Sequence, residues 1–126
     1  AWRTAADAHA DLGDPAAAAE ALDRYFDDDR NAGDVPALRA RVRALVAAGR
    51  DADALTSARD AVRLAPGDAH ALADLAAVLE RTGDRAGALE AARSASELAP
   101  DDAGIAALLT RLDASPRQGE DEPAAP

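Results

Sequence analysis

From residue 72 onward the apolar residues follow a helical period. Leu72, Leu75, Ala76 and Leu79 lie three or four places apart and fall on one side of a helix. The stripe ends at Thr82-Gly83-Asp84, where a glycine suited to a helix C-terminus precedes an aspartate suited to cap the next helix. A second helical run follows to about Leu98 and stops at Ala99-Pro100, because proline disfavours helical geometry in the residue before it. The pattern predicts two helices joined by a tight turn. Asp68 and Asp102 stand where the helices after each proline need a carboxylate for their free amide groups.

The same order of residues occurs one unit earlier. Leu38, Leu45, Gly49, Ala54, Leu55, Ala58, Ala61, Leu64, Ala65 and Pro66 recur 34 residues later as Leu72, Leu79, Gly83, Ala88, Leu89, Ala92, Ala95, Leu98, Ala99 and Pro100. An internal period of this length is the mark of stacked supersecondary units. A more degenerate unit precedes them, with Trp2, Ala5, Ala6, His9, Gly13, Ala18 and Leu22 but no closing proline. Gly13 lies 36 residues before Gly49, so the loop around Asn31-Ala32-Gly33-Asp34 carries a two-residue insertion. After the third unit, Ile105, Leu108, Leu109 and Leu112 form one more stripe, suited to covering the open end of a stack.

This arrangement resembles the tetratricopeptide repeat, whose pattern runs W-x2-L-G-x2-Y, then A-x3-F, then P. Leu72, Leu75, Ala76, Leu79, Ala88, Ala92 and Pro100 carry the match in one unit, and Leu38, Val42, Leu45, Ala54, Ala58 and Pro66 in the unit before. Arg41 departs from the apolar residue that the pattern calls for. The resemblance implies an all-α, right-handed α-solenoid of three helix-turn-helix units plus a C-terminal capping helix. The units span about 1–34, 35–68 and 69–102, with the cap at 103–113, giving a domain over 1–113. Residues 114–126, with Glu120-Asp121-Glu122 and four prolines or alanines at the end, lack periodicity and read as a disordered acidic tail. Trp2, Gly13, Gly49, Gly83, Pro66 and Pro100 are the expected structural positions. Because the chain opens inside a helical pattern, further repeats or another domain are expected before Ala1.

Composition narrows the function. The chain has 126 residues, 48% hydrophobic and 30% charged, with aromatics at only 2%. Alanine is the most frequent residue, so the core is expected to be built from many small contacts between closely packed helices. The formal net charge of −10 repels phosphate backbones and anionic lipid heads, which argues against nucleic-acid binding. No apolar run is long enough to insert in a membrane. The absence of cysteine excludes disulfides and thiolate chemistry and fits a cytoplasmic protein. All 14 Lys-or-Arg residues are arginine, and the Ala, Arg and Asp bias is that of a GC-rich, bacterial-type genome.

In stacked helix pairs the first helix of each pair lines the concave side. Helical geometry then puts His70, Ala73, Ala77, Glu80 and Arg81 on the inner flank of one unit, Arg39, Arg43 and Val46 on the next, and Arg3 and Asp7 on the first, with Arg111 on the capping helix. Arg39 and Arg43, one turn apart, are suited to hold carboxylates of an extended or helical partner segment. The competing expectation is that they pair with Asp7 and Asp11 of the adjacent helix. The chain is therefore expected to be a protein or peptide-binding module, with acidic residues in the partner. The alternatives are self-association into a homo-oligomer through the face around Trp2, and a docking domain of a larger enzyme. The acidic tail, through Glu120-Asp121-Glu122, offers an internal competitor for the groove.

Other chemistry is weakly supported. Asp27, Asp29 and Asn31 imitate the start of a calcium loop, but Gly33 is one place late and Leu38 stands where the bidentate glutamate belongs. His9 and His70 have no partner at ligand spacing. No phosphate loop or nucleophile elbow is present, so no catalytic residue, metal or cofactor is expected.

Overall fold

The computed structural model describes residues 13–114. These form six α-helices, α1 (Pro15–Phe26), α2 (Val35–Ala47), α3 (Asp51–Leu64), α4 (Ala69–Arg81), α5 (Arg85–Leu98) and α6 (Ala103–Ala114), with a short 3-10 turn at Asp29–Asn31. Trp2, Arg3, Asp7 and Asp11, the His9 ring, and the acidic residues after Ala114 lie outside the described residues.

The turns follow from the repeated glycines and prolines. Gly49 and Gly83 adopt positive φ, at 77° and 92°. There the amides of Arg50 and Gly49 donate to the Leu45 and Val46 carbonyls, at 2.8 and 3.0 Å, closing the last turn of α2. Asp84 and Gly83 repeat this on Leu79 and Glu80 at 2.9 and 3.2 Å. The residues before the prolines are equally alike, Ala65 at φ −136°, ψ 71° and Ala99 at φ −136°, ψ 68°. Asp68 accepts from the amides of His70 and Ala71, and Asp84 accepts from that of Gly87. Asp102 accepts from the amide of Ile105. Each cap satisfies donors that a helix start leaves free.

Small side chains let the helices approach closely. Ala54, Ala58 and Ala61 of α3 and their equivalents Ala88, Ala92 and Ala95 of α5 are all buried. Each buried carbon contributes only about 0.8 kcal/mol, so the fold depends on the number of such contacts rather than on large anchors. Leu22, Leu45 and Leu112 are the largest fully buried side chains. Arg41, which interrupts the apolar pattern, pairs with Asp23 of α1 at 2.7 Å and lies 5.8 Å from the centre of the Phe26 ring. Its charge and its carbon stem thus replace an apolar contact between α1 and α2.

Consecutive helices pack against each other along the chain. Of the first helices of successive pairs, α2 also touches α4 and α4 touches α6, whereas α1, α3 and α5 do not touch among themselves. Closer approach on one side curves the stack and puts α2, α4 and α6 on its concave face.

Candidate binding groove

Between α2 and α4 the concave face opens into a depression of about 230 Å³. Val42, Arg43, Val46 and Ala47 line it from α2, and Asp74, Ala77, Val78 and Arg81 from α4. Its floor is apolar because Val42 and Val78 are core residues whose edges reach the opening. Two arginines and one aspartate are its polar members. The volume lies below the roughly 300–1,000 Å³ of small-molecule sites. It suits one or two side chains of a polypeptide.

Ion pairs between neighbouring inner helices set the charge of this face. Arg39 Nε donates to Asp74 Oδ2 at 2.7 Å, joining α2 to α4, and both side chains are three-quarters or more buried. Arg111 pairs with Glu80 at 2.7 Å, joining α6 to α4. Arg81 reaches Asp51 at the start of α3, at 3.0 Å. His70 Nε2 lies 3.3 Å from Asp102 Oδ2, at the opposite end of α4 from the depression. Among the described residues Arg43 meets no carboxylate, and it is exposed.

These contacts revise what sequence alone suggests. Arg39 was expected to hold a partner's carboxylate, but Asp74 occupies its guanidinium. The alternative partners, Asp7 and Asp11, lie outside the described residues, as do Arg3 and its flank. Arg43, Val46, Ala77 and Arg81 do come together around one depression, whereas Ala73 packs toward Leu72, Ala95 and Ile105. His70 and Glu80 face α6, Arg111 of α6 faces α4, and none of the three lines the depression. Asp74 was missed, although it falls on the same stripe as His70, Ala77 and Arg81 at spacings of four, three and seven.

The segment that imitated a calcium loop is organised differently. Asp28 binds Arg30 at 2.7 Å, and this side-chain contact, together with the Arg30 amide, holds its carboxyl below the ordinary range. The Asn31 amide donates to the Tyr25 carbonyl at 2.9 Å, and the Tyr25 hydroxyl donates to Asp34. No group of three or more His, Cys, Asp or Glu residues suited to a metal exists among the described residues.

No protein-family model matches the chain, and no curated protein does. Solved structures do. The UNC-45 chaperone, described for binding and folding muscle myosin, aligns at a TM-score of 0.78 and 23% identity over 89% of this chain. The alignment spans only 12% of that protein's chain. The first TPR domain of human RPAP3 aligns at 0.79 and 16% identity, over 89% of this chain and 87% of that domain. The Yersinia enterocolitica type III secretion chaperone SycD, solved with a peptide of the translocator YopD, aligns at 0.76 and 15% identity, over 89% of both chains. The chain therefore has the tetratricopeptide-repeat fold, an all-helical solenoid. No helix among the described residues is long and apolar enough to cross a membrane.

Proposed function

We propose that this chain is a protein-interaction module whose concave face docks a peptide or helical segment of a partner. The observation that carries the reading is the apolar depression between α2 and α4, bordered by Arg43, which meets no carboxylate among the described residues. An incoming segment would place a branched aliphatic side chain against Val42, Val46, Ala77 and Val78 and a carboxylate near Arg43. SycD, which shares the fold, was solved holding a peptide, and this supports the reading.

Magnitudes decide what dominates. Burying a Val or Leu side chain supplies about 1.5–3 kcal/mol, and an exposed ion pair about 0.2–1 kcal/mol. Their sum corresponds to a dissociation constant near or above about 1 mM. Useful affinity therefore requires the segment to continue along α4 toward α6, making further contacts.

A random-peptide display selection against the full chain supplies the probe. The selected peptides should pair an aliphatic residue with Asp or Glu. Ala77→Arg, which fills the depression, should weaken them at least about ten-fold by fluorescence anisotropy, and Arg43→Ala by about three-fold, each within the energies above. Arg59→Ala, on the exposed side of α3, should leave them unchanged. Equal affinity for all four proteins would remove the groove from the account.

A further inference from the structure

The pair of Arg39 and Asp74 is not a requirement of helix packing. One repeat further along, the same positions hold Ala73 and Leu108, 34 residues after Arg39 and Asp74, and both are half-buried against the core of α4, α5 and α6. Apolar residues therefore suffice where neighbouring inner helices meet. A part-buried ion pair gains little over well-packed apolar residues, although breaking it is costly, so its use between α2 and α4 points to a task besides stability.

Asp74 stands between two arginines. It lies 34 residues past Ala40, and α2 and α4 run in the same direction, so it stands at the level of Ala40 on the neighbouring inner helix. At the helical rise, Arg39 leaves the backbone of α2 about 1.5 Å before that level and Arg43 about 4.5 Å beyond it. Helical side chains lean toward the N-terminus of their helix, so the stem of Arg43 leans back toward Asp74. Asp74 and Arg43 border the same depression, whereas Arg39 does not line it. Arg39 Nε nevertheless holds Asp74 Oδ2 at 2.7 Å, and Arg43 meets no carboxylate among the described residues. The cations on the same side of α4 are engaged elsewhere. His70, one turn earlier, has its Nε2 3.3 Å from Asp102, and Arg81, two turns later, pairs with Asp51.

We propose that Arg39 is a positioning residue of the docking site: by holding Asp74 it keeps that carboxylate off Arg43, and so leaves the Arg43 guanidinium to a partner's acid. The inference rests on the docking reading and adds to it a residue that touches no ligand. Without Arg39, Asp74 is left with a carboxylate that is 20% exposed and has lost its partner. A desolvated carboxylate gains more from an arginine than a solvated one does, so Asp74 turns to Arg43, the guanidinium within reach at the depression. Arg43 is then neutralised before any partner arrives.

The test is a double-mutant cycle on the full chain with Arg39→Met, which keeps most of the carbon stem and removes the charge. In the Arg39→Met chain, Arg43→Ala should lower Tm by at least about 3 °C more than it does in the otherwise unaltered chain, because Arg43 there carries a new pair. By fluorescence anisotropy, Arg39→Met should weaken the display-selected peptide about two- to three-fold, approaching the loss from Arg43→Ala itself. The same peptide with its acid replaced by the amide should lose less than about 1.5-fold, and adding Asp74→Asn to Arg39→Met should bring the acidic peptide back to within about 1.5-fold of the unaltered chain. Equal Tm effects of Arg43→Ala in the two chains overturn the proposal. An unchanged affinity in Arg39→Met, an equal loss for both peptides, or a loss that Asp74→Asn does not relieve overturns it as well. The Tm comparison uses no peptide, so equal Tm effects with a selected peptide that still maps to the depression leave the docking reading standing alone. Unequal Tm effects with peptides that map elsewhere overturn both the docking reading and the ligand role given to Arg39.

Discussion

Two arginines one turn apart on α2 have opposite roles. Arg39 is held by Asp74 in a part-buried pair, so Arg39→Ala leaves a carboxylate that is only 20% exposed without its partner. Hydrogen bonds to charged groups of this kind are worth about 1.5–3 kcal/mol, and partial exposure lowers that toward about 1–2 kcal/mol. Thermal unfolding should register the loss as several degrees, since about 1 kcal/mol moves a domain of this size by about 4–8 °C. Arg43→Ala, at an exposed residue without a carboxylate partner among the described residues, should change stability by less than about 0.5 kcal/mol while weakening peptide binding. The glycines offer a second contrast. Gly83→Ala forces a side chain into the left-handed region at φ 92° and should cost about 1–2 kcal/mol in urea titration. Gly67→Ala meets no neighbouring atom and requires no positive φ, so it should be neutral or stabilising by up to about 1 kcal/mol. The conformations of Gly49 and Gly83 were legible from their place after an apolar stripe. The choice of Arg39 over Arg43 as the paired residue was not, because it depends on which neighbouring helix stands opposite.

At the scale of elements, α6 contributes fewer core residues than the other described helices. Ile105 and Leu112 are its buried members, and Arg85, at the start of α5, donates to the Leu112 carbonyl. The last turn of α6 is thereby anchored by an arginine from the preceding unit, much as Arg81 at the end of α4 meets Asp51 at the start of α3. Leu112→Ala should cost about 2–4 kcal/mol in denaturant, with faster amide exchange in α6 than in α4. Leu98→Ser, at a position 49% exposed, should stay within about 0.5 kcal/mol. Helix ends were readable wherever Gly, Pro and Asp punctuate an apolar period, and α6 begins at Ala103 as the cap pattern expects. The insertion before α2 was visible only as a change of spacing. Its internal bonds, Tyr25 to Asp34 and Asn31 to the Tyr25 carbonyl, join residues whose types alone predict no pairing.

For the whole molecule, the 34-residue period carried the architecture, because equal units stacked at equal angles must curve and expose one helix of each pair on the inner side. Period and helical phase placed Arg43, Val46, Ala77 and Arg81 on that side. They could not reveal that ion pairs between inner helices neutralise most of its charge, since such pairs depend on distances across the stack. Recognition by this face is accordingly expected to rest mainly on apolar contact, with a modest salt dependence set by Arg43. The most direct test is to map a display-selected peptide onto the full chain by amide shift changes. The account predicts a footprint centred on residues 42–47 and 74–81, lost in Ala77→Arg. A footprint on α3 and α5, or one that survives Ala77→Arg unchanged, would contradict it.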